Sequence, residues 1–298
     1  MCGIVGLHLR DDSLQPDLGA LLTEMLATMC SRGPDSAGVA VYGDPRWSPE
    51  GHETVSMVLS GADPVEVAGR VETAVGLPVS GMVVGQTIVL TAAADGERLA
   101  RATREAVPEG TVVGFGPTVT VLKGVGDPRA LADEFGLARA SGWQGVGHTR
   151  MATESAVTVT GSHPFSVGPD QCLVHNGSFS NYDTIRTELR REGIEFDTEN
   201  DTEVAARFVA KQLAEGADLE KSLRLLAERF DGFYTLLVST RDSFAVIRDP
   251  IACKPAVIAE SDGWVAMASE YQSLAGLPSI GSARLYEPTP GRLYLWTR

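Results

Sequence analysis

Hydrophobic and polar positions along the chain follow two periods, and the switches between them mark out the elements. Residues 2–9 (CGIVGLHL) are apolar and rich in branched side chains, which predicts a strand. Residues 18–29 then place Leu18, Leu21, Leu22, Met25, Leu26 and Met29 on one face at helical spacing. Gly33-Pro34 stops that helix, and residues 37–42 (AGVAVY) predict a second strand. From about Asp44 to Gly142 three strand-like runs, at 54–59, 82–92 and 111–122, are each followed by a helix-like run, at 64–75, 96–106 and 128–136. Glycine and proline punctuate the joins. Strand character returns at 143–149 and 171–176. Helices are predicted over 182–192, 202–214 and 219–230, the second opened by an Asn200/Glu203 capping box. Short strands follow at 233–239, 243–249, 255–260 and 263–268, with one more at 291–296. Strand runs at both ends with helices between them predict two sheets covered by helices.

The composition permits a packed core: 43% of the 298 residues are hydrophobic and 21% charged. Lys plus Arg number 25 against 39 Asp plus Glu, a net charge of −14. That balance argues against a nucleic-acid backbone or an anionic membrane as partner. The most apolar window, 81–94, is too short to span a bilayer, and the first residues lack the form of a signal peptide. Of the four cysteines, Cys2, Cys30, Cys172 and Cys253, no two have the spacing of a metal-ligand pair. No metal is expected. The last three read as buried, reduced thiols, so the expected setting is reducing and cytoplasmic.

Polar clusters fall where the predicted strands end: Arg32-Gly33-Pro34-Asp35, His148-Thr149-Arg150, His175-Asn176-Gly177, and Asp201 at a helix start. Each has a purely structural reading. Arg-Gly-Pro-Asp makes a turn, Asn-Gly is a hairpin signal, and Asp201 can cap a helix. Cys2 differs, because removal of Met1 makes it the amino terminus. One residue then carries a thiol and an α-amine of pKa roughly 7.7–8.0, able to take up the thiol proton near neutrality.

Taken in order, the clusters resemble a known set. Met1-Cys2-Gly3-Ile4-Val5-Gly6 and 31–38 (SRGPDSAG) resemble the opening of class II glutamine amidotransferases, members of the N-terminal-nucleophile hydrolase superfamily. Residues 147–153 (GHTRMAT), 161–165 (GSHPF), 175–182 (HNGSFSNY) and 200–203 (NDTE) resemble later motifs of the same family, and Arg248-Asp249-Pro250 with Lys254-Pro255, and Ala268-Ser269-Glu270, resemble the strands that close its domain. The resemblance implies an α+β fold, a four-layer αββα sandwich. Residues 2–43 and 143–298 would form the glutaminase domain, and the 44–142 block an inserted small β/α subdomain. It implies Cys2 as nucleophile, with Asn176 and Gly177 as oxyanion donors. Arg150, with Thr153 beside it, would hold the glutamine α-carboxylate and Asp201 its α-ammonium. Arg32, Asp35, His148, His163 and His175 would be supports. No cofactor is implied. Two features depart from the family pattern. Arg150 lies much further from Cys2 than in most members, an excess that the 44–142 block accounts for. Glu154 stands where several relatives carry histidine.

Relatives usually fuse this domain to a synthase that consumes the ammonia, and this chain ends shortly after Ser269-Glu270. The expectation is therefore a glutaminase subunit acting on L-glutamine beside a separate flavin and iron–sulfur synthase. The amidotransferase subunit of N-methylglutamate synthase and of split glutamate synthases is the nearest likeness, with the insert as docking surface. A free-standing amidohydrolase and a catalytically silent regulatory subunit are the alternatives. The self-activating reading makes a prediction about processing. With Met1 attached, the Cys2 nitrogen is an amide and cannot act as base. Intact-mass analysis paired with a glutaminase assay checks this: Met1-retaining protein is expected to have little activity, and full activity in that form contradicts it.

Overall fold

A computed structural model describes residues 2–151 and 157–298 of the chain. The elements in chain order are β1 (Gly3–Leu9), α1 (Leu18–Thr28), β2 (Ser36–Tyr42), β3 (Glu53–Val58), α2 (Pro64–Val75), β4 (Ser80–Val84), β5 (Thr87–Ala92), α3 (Gly96–Ala106), β6 (Thr111–Gly116), β7 (Val119–Val125) and α4 (Pro128–Glu134). After these come β8 (Gln144–Arg150), β9 (Cys172–Phe179), α5 (Tyr182–Arg191), α6 (Asp201–Ala214), α7 (Leu219–Arg229), β10 (Gly232–Thr240), β11 (Ser243–Arg248), β12 (Val257–Glu260), β13 (Trp264–Ala268), β14 (Arg284–Tyr286) and β15 (Leu293–Thr297).

Among the described residues the strands form three sheets. A seven-stranded sheet runs β14-β12-β13-β1-β8-β2-β7, a four-stranded sheet runs β15-β11-β10-β9, and a second four-stranded sheet runs β4-β5-β3-β6. Every pairing is antiparallel.

The first two sheets stack face to face, and the period-2 alternation of their strands explains why. In β1, Val5, Leu7 and Leu9 point to one side and pack with Leu22, Met25 and Leu26 of α1. Ile4 points to the other side, into a core shared with Val174, Leu237, Phe244 and Val246 of the facing sheet. In β10, Leu237 enters that shared core while Leu236 and Val238 turn outward to Val204, Val209, Leu223 and Leu226 of α6 and α7. The result is helix, sheet, sheet, helix: the expected αββα sandwich of an α+β protein. A strand buried on both faces reads as continuously apolar, which is the pattern of β1 and β2.

Four details differ from the sequence reading. The 82–92 run is a hairpin of β4 and β5 turning at Gly85-Gln86, and the 111–122 run breaks at Pro117-Thr118 into β6 and β7. The short strand β14 was not anticipated, because three residues carry too little periodicity to register. Sheet membership also divides the block expected at 44–142. The third sheet spans 53–116 only, whereas β7 pairs with β2 as the edge of the seven-stranded sheet. Leu131, Phe135 and Leu137 beyond it pack in the core of α1. Alternation alone cannot say which sheet a strand joins, so the β7 pattern read equally well as part of the insert. Among the described residues no helix is long and apolar enough to cross a membrane.

Candidate active site

The chain enters the sandwich at Cys2, and the registers of its neighbours decide what surrounds it. β1 lies beside β8 with Gly3 opposite Thr149 and Ile4 opposite His148. On its other side Val5 is opposite Ala268, so Ser269 and Glu270 follow directly beside the start of the chain. The end of β9, from the facing sheet, brings His175, Asn176 and Gly177 to the same place.

The Cys2 carbonyl is held by two donors. Arg32 Nε donates to it at 3.0 Å and Asn176 Nδ2 at 3.1 Å. Arg32 is in turn fixed by an ion pair to Glu270. Asn176 Nδ2 also donates to Ser269 Oγ at 3.2 Å, and the same hydroxyl accepts the Ile4 N–H at 2.9 Å. Asn176 Oδ1 lies 3.1 Å from His148 Nε2. The backbone to which the thiol is attached is thus fixed while Sγ is left half-buried, 3.8 Å from the Met151 carbonyl.

Gly177 has φ +143, a conformation side chains rarely adopt, and a Cβ there would lie 2.0 Å from the Phe233 carbonyl oxygen. Only glycine fits at this strand end.

A cleft of about 660 Å³ opens in front of these groups. Its lining includes Cys2, Arg150, Asn176, Gly177 and Asp201 together. Arg150 is the last residue of β8 and is buried, with Nη1 3.4 Å from the Gly161 carbonyl. Asp201 opens α6, where the helix dipole favours an acid, and accepts the Phe179 N–H at 3.0 Å. A cation and an anion therefore stand in one cleft with a thiol.

The three histidines lie behind this surface. His148 and His163 stack with ring centroids 4.1 Å apart. His163 Nε2 and His175 Nδ1 each reach Thr202 Oγ1 at 2.9 Å, and His175 Nδ1 is 3.7 Å from Asp201. Burial lowers all three pKa values, that of His148 to about 3; at His175 the Asp201 carboxylate opposes the shift. Burial thus favours the neutral form of each ring. Asp35 lies in the loop before β2, and its backbone N–H bonds the Arg150 carbonyl at 3.1 Å. Thr153 and Glu154, expected near the carboxylate subsite, lie outside the described residues.

The expected capping box is only half present. Asn200 Oδ1 accepts the Thr202 N–H at 2.9 Å, as a cap should. Glu203 does not reach back to Asn200. It accepts the Asp197 and Thr198 N–H groups at 2.9 and 2.7 Å, because the preceding loop folds those donors closer. Three contributors were not singled out from the sequence: Ser269, Glu270 and Thr202. The Ala-Ser-Glu motif flagged the first two as the end of a strand, but their place beside Cys2 required the β1/β13 register. Among the described residues no His, Cys, Asp and Glu side chains are grouped to hold a metal ion.

Comparison with known proteins agrees with this geometry. The profile of a family described as "Glutamine amidotransferase domain" matches residues 148–276. The chain is 48% identical to the "Glutamine amidotransferase-like protein GlxB" of Rhizobium meliloti (strain 1021), over 99% of this chain and 98% of that one. It belongs to the glutamine amidotransferase family. The fold is shared with solved amidotransferase structures. Glutamine phosphoribosylpyrophosphate (PRPP) amidotransferase from B. subtilis superposes with TM-score 0.63 at 18% identity, over 99% of this chain and 47% of that one. A structure titled as the allosteric regulatory enzyme of purine biosynthesis superposes with TM-score 0.65 at 17% identity. The chain spans about half the length of either structure.

Gly177→Ala is predicted to destabilise the protein by about 1–3 kcal/mol, because the Cβ must displace the strand end at a position of positive φ. Thermal denaturation checks this, and an unchanged melting temperature contradicts it.

Proposed function

We propose that the chain hydrolyses L-glutamine to glutamate and ammonia through a thioester on Cys2 and delivers the ammonia to a separate synthase subunit. The observation that carries the reading is the cleft itself, in which a fixed Cys2 faces both Arg150 and Asp201. A free amino acid has an α-carboxylate and an α-ammonium, and these two side chains complement both ends.

In this mechanism the Cys2 thiol gives its proton to its own α-amine and Sγ adds to the side-chain amide carbon of glutamine. The carbonyl oxygen becomes an oxyanion. Both N–H groups of Asn176 are engaged, one on the Cys2 carbonyl and one on Ser269. The first can be shared between the Cys2 carbonyl and the oxyanion, because Arg32 continues to hold that carbonyl. Gly177 supplies the second donor. The C–N bond then breaks, the amine returns its proton to the leaving nitrogen, and ammonia departs. Water adds to the thioester, its proton goes to the amine, and glutamate leaves with the thiol restored.

Glutamate release from glutamine by mature protein, compared with the Cys2→Ala variant, tests the reading. Loss of release in the variant is expected, and equal rates contradict it. A γ-glutamyl peptide whose α-groups are blocked should be a poor substrate. If it is cleaved as fast as glutamine, the substrate is a broader amide class.

The synthase partner is read as a flavin and iron–sulfur protein of the split glutamate synthase or N-methylglutamate synthase kind, docked on the 53–116 sheet. Supporting this, β4 is an edge strand without a charged residue, and Met82 and Val83 on it are exposed. Such an edge is a ready surface for another chain. Met82→Glu with Val83→Glu is expected to reduce co-purification with that subunit and leave glutamine hydrolysis intact. Unchanged association contradicts the docking surface.

A further inference from the structure

An asparagine carboxamide has two ends of nearly equal size, and only one of them can donate a hydrogen bond. At Asn176 the end that matters faces Cys2. We infer that His148 is a positioning residue that sets which end of the Asn176 amide faces the nucleophile. The inference rests on the glutaminase reading for its kinetic consequence, though not for its structural one.

The geometry carries it. His148 Nε2 lies 3.1 Å from Asn176 Oδ1 and 3.2 Å from the His175 carbonyl oxygen. The carbonyl can only accept. The proton therefore sits on Nε2, where it is shared between the two oxygens, and Nδ1 carries none. Nδ1 is buried with no hydrogen-bond partner among the described residues, so nothing there competes to pull the proton across.

With Nε2–H in place, Asn176 must present Oδ1 to His148 and Nδ2 to the other side. There Nδ2 meets two acceptors, the Cys2 carbonyl and Ser269 Oγ. A flipped amide would set Oδ1 against the Cys2 carbonyl oxygen and Nδ2 against an N–H, two repulsions for two bonds. It would also remove the donor from the position where the oxyanion forms.

The ring itself cannot turn. It is stacked on His163 at 4.1 Å, and His148 is held in register opposite Ile4, two residues from Cys2. Burial keeps it neutral, so the tautomer is the same throughout the working pH range. His148 is not among the residues that line the cleft. It acts through Asn176.

The test uses the mature full-length chain with two variants. His148→Leu removes the donor, and His148→Gln restores an amide N–H near the place of Nε2. His148→Leu is expected to lower kcat by about 100-fold, the scale of a misplaced catalytic group, with KM for glutamine within about threefold of wild type. His148→Gln is expected to recover most of the loss. A role in packing alone would not separate the two variants. Equal losses in both, a wild-type kcat in His148→Leu, or a change confined to KM overturns the inference. Long-range ¹H–¹⁵N spectra of the wild-type imidazoles give a second readout that needs no activity and no variant. A neutral Nε2–H tautomer at His148 is expected, and the Nδ1–H tautomer overturns the inference. If the wild-type protein releases no glutamate, the glutaminase reading fails, and the tautomer still decides the role of His148.

Discussion

The structure depends on where a single carbonyl is held. The oxygen of Cys2 accepts one bond from Arg32 and one from Asn176. Arg32 comes from the loop before β2, and Asn176 from the facing sheet. An amino terminus is ordinarily frayed unless it is tied down. Here the seven-stranded sheet holds the strand from both sides, and the two donors hold the residue before it. A thiol can serve as a nucleophile only if its position is fixed to within a fraction of an ångström. In the proposed mechanism, fixing the backbone rather than the sulfur achieves this, with Sγ 3.8 Å from the Met151 carbonyl.

The rest of the sandwich supplies the parts that must converge on that point. β8 contributes His148 and Arg150, β9 contributes His175, Asn176 and Gly177, and the start of α6 contributes Asp201. These segments are far apart in sequence and meet because both sheets end at the same edge of the sandwich. Behind them, three neutral histidines and Thr202 link the Asn176 side of the cleft to the Asp201 side through hydrogen bonds and one ring stack. Buried polar groups of this kind are costly unless paired. Their presence so close to the cleft fits a site that spends stability on orientation.

Much of this was legible in the sequence, and what was not has physical causes. The strands and helices of the sandwich followed from period, and the motifs in order gave the family. The residues expected to act together, Cys2, Arg150, Asn176, Gly177 and Asp201, do line one cleft. What the sequence hid was pairing. The β7 alternation could not tell which sheet it would join, so the insert looked larger than the 53–116 sheet. Ser269 and Thr202 look ordinary until register and helix phase bring them to Ile4 and to two histidines. Glu203 read as half of a capping box because spacing predicts reach, whereas the path of the 197–200 loop decides which donors come closest.

The central claim is that the first cysteine, and no other, is the nucleophile. The chain has four free cysteines: Cys2, Cys30, Cys172 and Cys253. Cys172 is buried in the core, and burial pushes its thiol up to about 12. Cys253 is exposed and open to any reagent. Treating mature protein with an electrophilic glutamine analogue and mapping the labelled peptide discriminates among them. The account predicts stoichiometric label on Cys2, slowed by added glutamine and coincident with loss of glutamate release. Inactivation with the label on Cys30 or Cys253 and Cys2 unmodified would contradict it.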